Sequence, residues 1–242
     1  MYHSITFGSK NSYSDWHLVP DGRQIVVMPE PKTSIVDIPG ANGSLDLSES
    51  LTNYPVYNNR DGSFSFHVIN DIEPLDTLYS KIATYLHGRI YNVVLEDDPN
   101  YFYKGRHKIA WSPGNDGTWS HLEISYSYDP FKYYKYTSIQ EAPSKYSNIS
   151  NTGTNTITLT GESSLGSIPV VPKLIVSNVS GTFKLTLNNS ELGISNLVKE
   201  FSTGSSKTYH DFILSNISGN NPLTIKMEGT GKLSIEFRRA SL

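Results

Sequence analysis

Histidines, neighbouring carboxylates and two arginines are the residues from which this chain could build chemistry. Seven histidines are present, and none shows the i, i+4 or short-loop spacing that lets imidazoles share a metal ion. Asp97-Asp98 sets two carboxylates side by side. Neighbours on a strand point to opposite faces, however, and the following Pro99-Asn100 marks a turn rather than an acid/base pair. Gly161-Glu162-Ser163-Ser164-Leu165 lacks the final glycine of a nucleophile elbow. Gly229-Thr230-Gly231-Lys232 is followed by Leu233, where a phosphate loop needs Ser or Thr. Cysteine is absent, which excludes disulfides, thiolate catalysis and zinc–thiolate sites. No enzyme, cofactor or metal is expected. Arg60 and Arg106 could fork onto carboxylates or carbonyls of a neighbouring subunit. Taken singly, each reads as a surface arginine lying over Tyr57 or Tyr103.

The elements that would position these residues centre on residues 54–129. Phe64, Phe66 and Val68 alternate with Ser63, Ser65 and His67, a half-buried strand. The spacing of Leu75, Leu78, Ile82 and Leu86 predicts a helix over residues 74–87, with Pro74 at its start and Gly88 as the left-handed residue after it. Period two resumes at Tyr91, Val93 and Leu95, and an aromatic strand follows at residues 101–103. Residues 104–111 and 118–128 read as a hairpin pair, with Leu122, Ile124, Tyr126 and Tyr128 on one face. The aromatic run 131–136 would then leave the domain. Before the centre, prolines and glycines break residues 29–53 into an extended arm or long hairpin. Its scattered apolar residues Ile35, Val36, Ile38, Leu45, Leu47 and Leu51 are candidates for contact with another subunit.

Composition shifts near residue 136. The first 136 residues hold 14 of 16 tyrosines and all three tryptophans, with a net charge of −5; the remainder carries +2. That predicts two domains, 1–136 and 156–242, joined by a polar linker at 137–155. The second half reads as strands throughout: 156–160, 173–177, 182–188, 209–215, 223–227 and 232–237. Val179-Ser180-Gly181 and Asn188-Asn189-Ser190 are turn candidates, and the spacing suits a β-sandwich. The chain is thus mainly β with one helix. Its charge leaves no footprint of phosphate gripping. The N-terminus lacks the order of a secretory signal, and no apolar run approaches the about 18 residues of a membrane span.

In order and spacing, several short motifs resemble the N-terminal domain of distal tail (Dit) proteins of long-tailed bacteriophages. They are Tyr57-x-x-Arg60, Phe64-x-Phe66-x-Val68, Leu86-His87-Gly88-Arg89, Leu95-Glu96-Asp97-Asp98-Pro99, Tyr103-Lys104-Gly105-Arg106 and Tyr128-Asp129-Pro130-Phe131. The stretch 43–48 and the chain end 231–239 share the likeness; the middle of the second half does not. The resemblance implies a barrel-like, tail-tube-type first domain with a packed helix and an arm, and Tyr57, Arg60, Gly88, Gly105 and Arg106 as structural or interface positions. It also implies a hexameric ring at the tail tip or baseplate of the virion, made in the host cytoplasm, with DNA passing through its channel. Partners would be the tail tube protein, a tail-associated hub protein and receptor-binding proteins. A galectin-like or carbohydrate-binding-module-like sandwich would form the second domain. The alternative is a free-standing module that binds a cell-surface saccharide through that sandwich. The sixteen tyrosines are compatible with sugar stacking, but most alternate with aliphatic residues as core or interface tyrosines do.

Overall fold

Residues 3–50, 55–69, 73–112, 120–135, 146–159, 173–189, 194–203, 207–209, 223–236 and 240–242 are described by a computed structural model. The chain falls into two units, Met1–Lys135 with Leu242, and Tyr136–Ser241. The fold is mainly β with one helix.

In the first unit the elements are β1 (Ile5–Phe7), β2 (Lys10–Asn11), β3 (Leu18–Pro20), β4 (Ile35–Asp37), β5 (Ser44–Asp46), β6 (Arg60–Val68), α1 (Leu75–Leu86), β7 (Ile90–Leu95), β8 (Tyr101–Ser112), β9 (His121–Tyr128) and β10 (Lys132–Tyr134). Antiparallel pairing orders the main sheet β2-β1-β7-β8-β9-β6-β3, and the sheet curls as a half-barrel. Strand alternation selects its inner face. Phe64, Phe66 and Val68 of β6 are buried together with Leu122, Ile124, Tyr126 and Tyr128 of β9, as the period-two pattern requires. Leu78, Ile82 and Leu86 of α1 join the same core. Leu75, expected in that stripe, is exposed in the first turn. Tyr85 ties the helix down: its hydroxyl donates to the Phe7 carbonyl at 3.0 Å, and its ring stacks on Tyr91.

Two expectations are corrected here. Residues 101–103 and 104–111 belong to one 12-residue strand. The aromatic run after residue 130 stays in the unit up to Lys135. Tyr133 and Tyr134 pair with Phe102 and Tyr101 as β10, with ring contacts at 5.6 Å for each pair. Lys132 secures the strand by its 2.7 Å ion pair to Asp98.

The second unit contains β11 (Ile149–Asn151), β12 (Thr154–Leu159), β13 (Lys173–Asn189), β14 (Ile194–Ser202), β15 (Lys207–Tyr209) and β16 (Leu223–Glu236). Long β13 and β16 pair along most of their length. One half of this pair is flanked by β14 and β12, the other by β15 and β11. Between the halves the register shifts around Ser180, where Asn178, Gly181 and Gly229 have φ of 54°, 72° and 99°. Both halves feed one core, including Leu174, Val176, Leu185, Leu187, Ile225 and Leu233. They form one continuous six-stranded sheet over that core. Val179-Ser180-Gly181 is thus a bulge within a continuous strand, not a turn, and 223–227 and 232–237 merge in the same way up to Glu236. Asn188 and Asn189 likewise remain in β13. Gly229 is obligatory at the bend, because a Cβ there would lie 2.2 Å from the Thr182 carbonyl oxygen. The stretch 137–155 is not wholly a linker. Tyr146 is buried in this core, and β11 and the start of β12 pair with β16. Strand β14 has no counterpart in the sequence reading, while 161–165 and most of 209–215 lie outside the described residues.

Leu78→Ala should cost about 2–5 kcal/mol through a cavity under the helix. Thr77→Ala and Lys81→Ala, on the exposed face, should shift a denaturant midpoint little. Equal effects at Leu78 and Lys81 would contradict the packing described.

Candidate functional site

Arg60 opens the strand whose even-numbered residues face inward, and it is only 2 % exposed. The surface reading of this arginine is therefore overturned. Its Nε donates to the Pro130 carbonyl at 2.7 Å and its Nη1 to the Val27 carbonyl at 3.3 Å. The guanidinium carbon lies 5.5 Å from the Tyr103 ring centre, a cation–π contact strengthened by exclusion of water. Burial pulls the guanidinium below its ordinary pKa range, while Tyr103 and Tyr126 oppose the shift. Nη2 is buried without a hydrogen-bond partner.

This buried cation clamps the base of the arm. Val27 N donates to the Tyr126 hydroxyl at 3.2 Å, so both backbone groups of Val27 are held. Val26 is buried beside them. Further out, Asn58 N donates to Glu30 O at 2.8 Å and Lys32 N to Val56 O at 2.7 Å. Pro31 bridges Tyr57, whose ring meets Phe131 edge-on at 5.9 Å. Beyond this ladder the arm ends as the two-stranded sheet β4–β5. Ile35, Val36, Ile38, Leu45 and Leu47 are all exposed there; Leu51 lies outside the described residues.

The remaining motif residues gather at the exit of α1. Gly88 has φ of 74° and donates its N–H to the His107 carbonyl at 2.8 Å. Arg106 is exposed, and its Nη1 donates to the Gly88 carbonyl. Gly105 sits where a Cβ would lie 2.0 Å from the Ser127 carbonyl oxygen, so β8 and β9 can approach only with glycine here. Tyr128 is paired with Gly105 on one side and Arg60 on the other, joining the two groups across three strands.

His107, fully buried, has no role in the sequence reading. Its Nε2 lies 3.1 Å from the Tyr128 hydroxyl and its Nδ1 3.4 Å from the Arg89 carbonyl. Burial pushes its pKa down to about 4. It is therefore neutral at pH 7, with Nδ1–H donating to Arg89 and Nε2 accepting from Tyr128. Parity was the available signal for both buried groups: Arg60 shares it with Phe64, and His107 with Tyr103 and Ile109.

Asp97 and Asp98 do not form a catalytic pair. Asp97 accepts from His3 at 2.9 Å and pairs with Arg23 at 3.2 Å, while Asp98 turns to Lys132. The hydrogen bond from His3 holds the Asp97 carboxyl below its ordinary range. Gly229 to Lys232 lie within β16, not in a phosphate loop. Among the described residues no three His, Asp or Glu converge as metal ligands, and no helix is long and apolar enough to cross a membrane. Tyr146, Phe183 and Phe201 of the second unit all face its core, so none of them offers a ring on which a sugar could stack.

The crystal structure of the Dit protein (gp 19.1) of phage SPP1 matches this architecture with a TM-score of 0.56 over 99 % of each chain. The chain has the Dit fold. Sequence identity across that match is only 14 %. No family model matches the chain, nor does any curated protein sequence. The SPP1 protein is described as a paradigm of the hub adsorption apparatus in phages infecting Gram-positive hosts. The clamp and the helix exit give these residues local roles: Arg60 and Arg106 donate to backbone carbonyls, Gly88 donates its N–H to His107, and Gly105 lets β8 and β9 approach.

Replacing Arg60 by Met leaves the Val27 and Pro130 carbonyls without their donor. Loss of about 3 kcal/mol is expected, along with new protease sensitivity in residues 24–31; a denaturant melt and a timed digest would check both. His107 gives a pH signature. Its pKa is 6.5 unfolded and about 4 folded, so the unfolded chain binds more protons between these values. Stability should fall by up to about 3 kcal/mol as pH drops from 6.5 to 4. The slope over this window should be shallower in His107→Gln, whatever that variant's absolute stability.

Proposed function

We propose that this chain is a structural, non-enzymatic component of a phage tail tip. Its first unit assembles into a ring of about six copies joining the tail tube to the host-adsorption apparatus. The full-length match to the SPP1 hub protein carries this reading. DNA passes through the channel without specific binding. The net charge of −5 on the first 136 residues supports this, since like charges do not capture phosphates. The two units act as two domains. The second, a galectin-like sandwich, projects toward receptor-binding proteins; the tail tube and hub proteins contact the ring. The protein resides in the virion after synthesis in the host cytoplasm.

The arm supplies the contact between subunits. Ile35, Val36, Ile38, Leu45 and Leu47 are exposed on an element outside the core; Leu51, outside the described residues, belongs to the same apolar set by sequence alone. A hairpin of this sort is marginal alone and needs cover. Replacing residues 30–52 by a short Gly/Ser linker should leave the helix and main sheet folded by circular dichroism. Light scattering should then read a mass near one chain, against about six for the parent. Retention of the parental mass would remove the arm from the assembly contact.

A further inference from the structure

An asparagine followed by glycine carries a latent reaction, because glycine lets the backbone nitrogen swing toward the preceding side-chain amide. Asn42-Gly43 is the one Asn-Gly step in the chain, and it lies in the connection between β4 and β5. The local turn closes just before it, where Ala41 N donates to Ile38 O at 3.1 Å. Asn42 and Gly43 are both exposed. Among the described residues neither the Asn42 amide nor the Gly43 N–H has a hydrogen-bond partner. Gly43 takes a φ of 79°, and nothing lies within 4 Å of the position a Cβ would occupy there. We infer that Asn42 is a site of spontaneous covalent modification, converting to aspartate and isoaspartate through a cyclic imide with Gly43.

The Gly43 nitrogen, having lost its proton to hydroxide, attacks Cγ of Asn42. The bond from Cγ to Nδ2 then breaks, and ammonia leaves with a proton drawn from water, which regenerates hydroxide. Water next opens the imide. Attack at Cγ restores the ordinary peptide link as aspartate; attack at the α-carbonyl carbon routes the chain through the side chain as isoaspartate. Either way a neutral amide becomes a carboxylate. Asp-Gly steps can close the same imide, and two of them here are restrained. Asp21 N donates to Ser65 O and Gly22 N to Pro20 O, both at 2.9 Å, while the Asp21 carboxylate pairs with His67. The nitrogen that would attack is thus already engaged. Asp61-Gly62 lies inside β6, paired with Ser127 and Tyr126 of β9; Asp116-Gly117 falls outside the described residues. Residues 33–50 hold Asp37, Asp46 and Glu49 and no Lys or Arg. The reaction therefore adds a further carboxylate to a hairpin that is already acidic, and its isoaspartate form lengthens the backbone as well. This chemistry does not depend on the arm meeting a second subunit.

The full chain is aged at neutral and mildly alkaline pH and cut with trypsin, which releases residues 33–60 as one peptide. That peptide also holds Asn53, Asn58 and Asn59, none followed by glycine, and these serve as internal references. Mass spectrometry should show Asn42 converted from amide to acid several-fold faster than the three references. Isoaspartate should be among the products, and the rate should rise with pH, because the attacking nitrogen must lose its proton. Asn42→Gln, whose longer side chain closes the ring far less readily, should leave position 42 unchanged over the same period. Conversion of Asn42 no faster than that of Asn53, Asn58 and Asn59 would overturn the inference. So would aspartate formed without isoaspartate, which marks direct hydrolysis. Rapid conversion in urea but not in the folded chain would overturn it too, because the turn would then be holding the amide out of reach.

Discussion

A guanidinium taken out of water organises the first unit. Removing a charge from solvent costs several kcal/mol unless its hydrogens find acceptors in good geometry. Arg60 meets that requirement in part, with the carbonyls of Val27 and Pro130 and the face of Tyr103, while its Nη2 stays without a hydrogen-bond partner. Those three partners come from the arm base, the segment after β9 and the start of β8. No apolar residue could link them equally well, because the acceptors are backbone oxygens that would otherwise be buried unpaired. Tyr128, packed between Arg60 and Gly105, carries this constraint across the sheet to His107 and the helix exit. The first unit therefore depends on polar groups inside an aromatic core.

The second unit solves its core differently. Leu, Ile and Val dominate it, and its two long strands bend together at positive-φ residues instead of ending in turns. Asn151 closes the bend from one side, donating to the Gly153 and Gly229 carbonyls at 2.9 and 2.7 Å. With a bulge in place of two turns, the long pair meets different flanking strands on either side of the bend.

Much of this was legible in the sequence. The helix and the inner faces of β6 and β9 follow from periodicity, and the arm at 29–53 from its prolines and glycines. Arg60 and His107 were misjudged or passed over because residue type outweighed parity. A charged side chain on an inward position is readable only when its acceptors are known, and those lie 33 and 70 residues away. The bends in β13 and β16 were read as turns, since Gly, Asn and Ser mark either structure and local composition does not say whether pairing continues. Strand β14 escaped because its residues Val198, Lys199 and Glu200 do not alternate cleanly. Gly105 is another such case. Its necessity comes from a carbonyl on the neighbouring strand, which nothing in its own segment announces.

The clamp and the arm are separate in space but coupled in energy. An unanchored arm would lose conformational freedom along its whole length on docking, at about 1–2 kcal/mol of backbone entropy per residue. Residues 26–32 are already ordered by Arg60, Tyr126 and the ladder to residues 56–58, so that part of the cost falls on folding. Only the outer hairpin remains to be covered. In the proposed ring each subunit would contribute one arm and receive another, which would multiply the benefit. Under the proposed assembly, changes at Arg60 or Tyr126 would thus weaken docking without touching the hairpin, by returning the disorder of the arm base to the docking step. The buried cation and the exposed apolar hairpin are two ends of one device, and the energy that holds the first is what keeps the second in position.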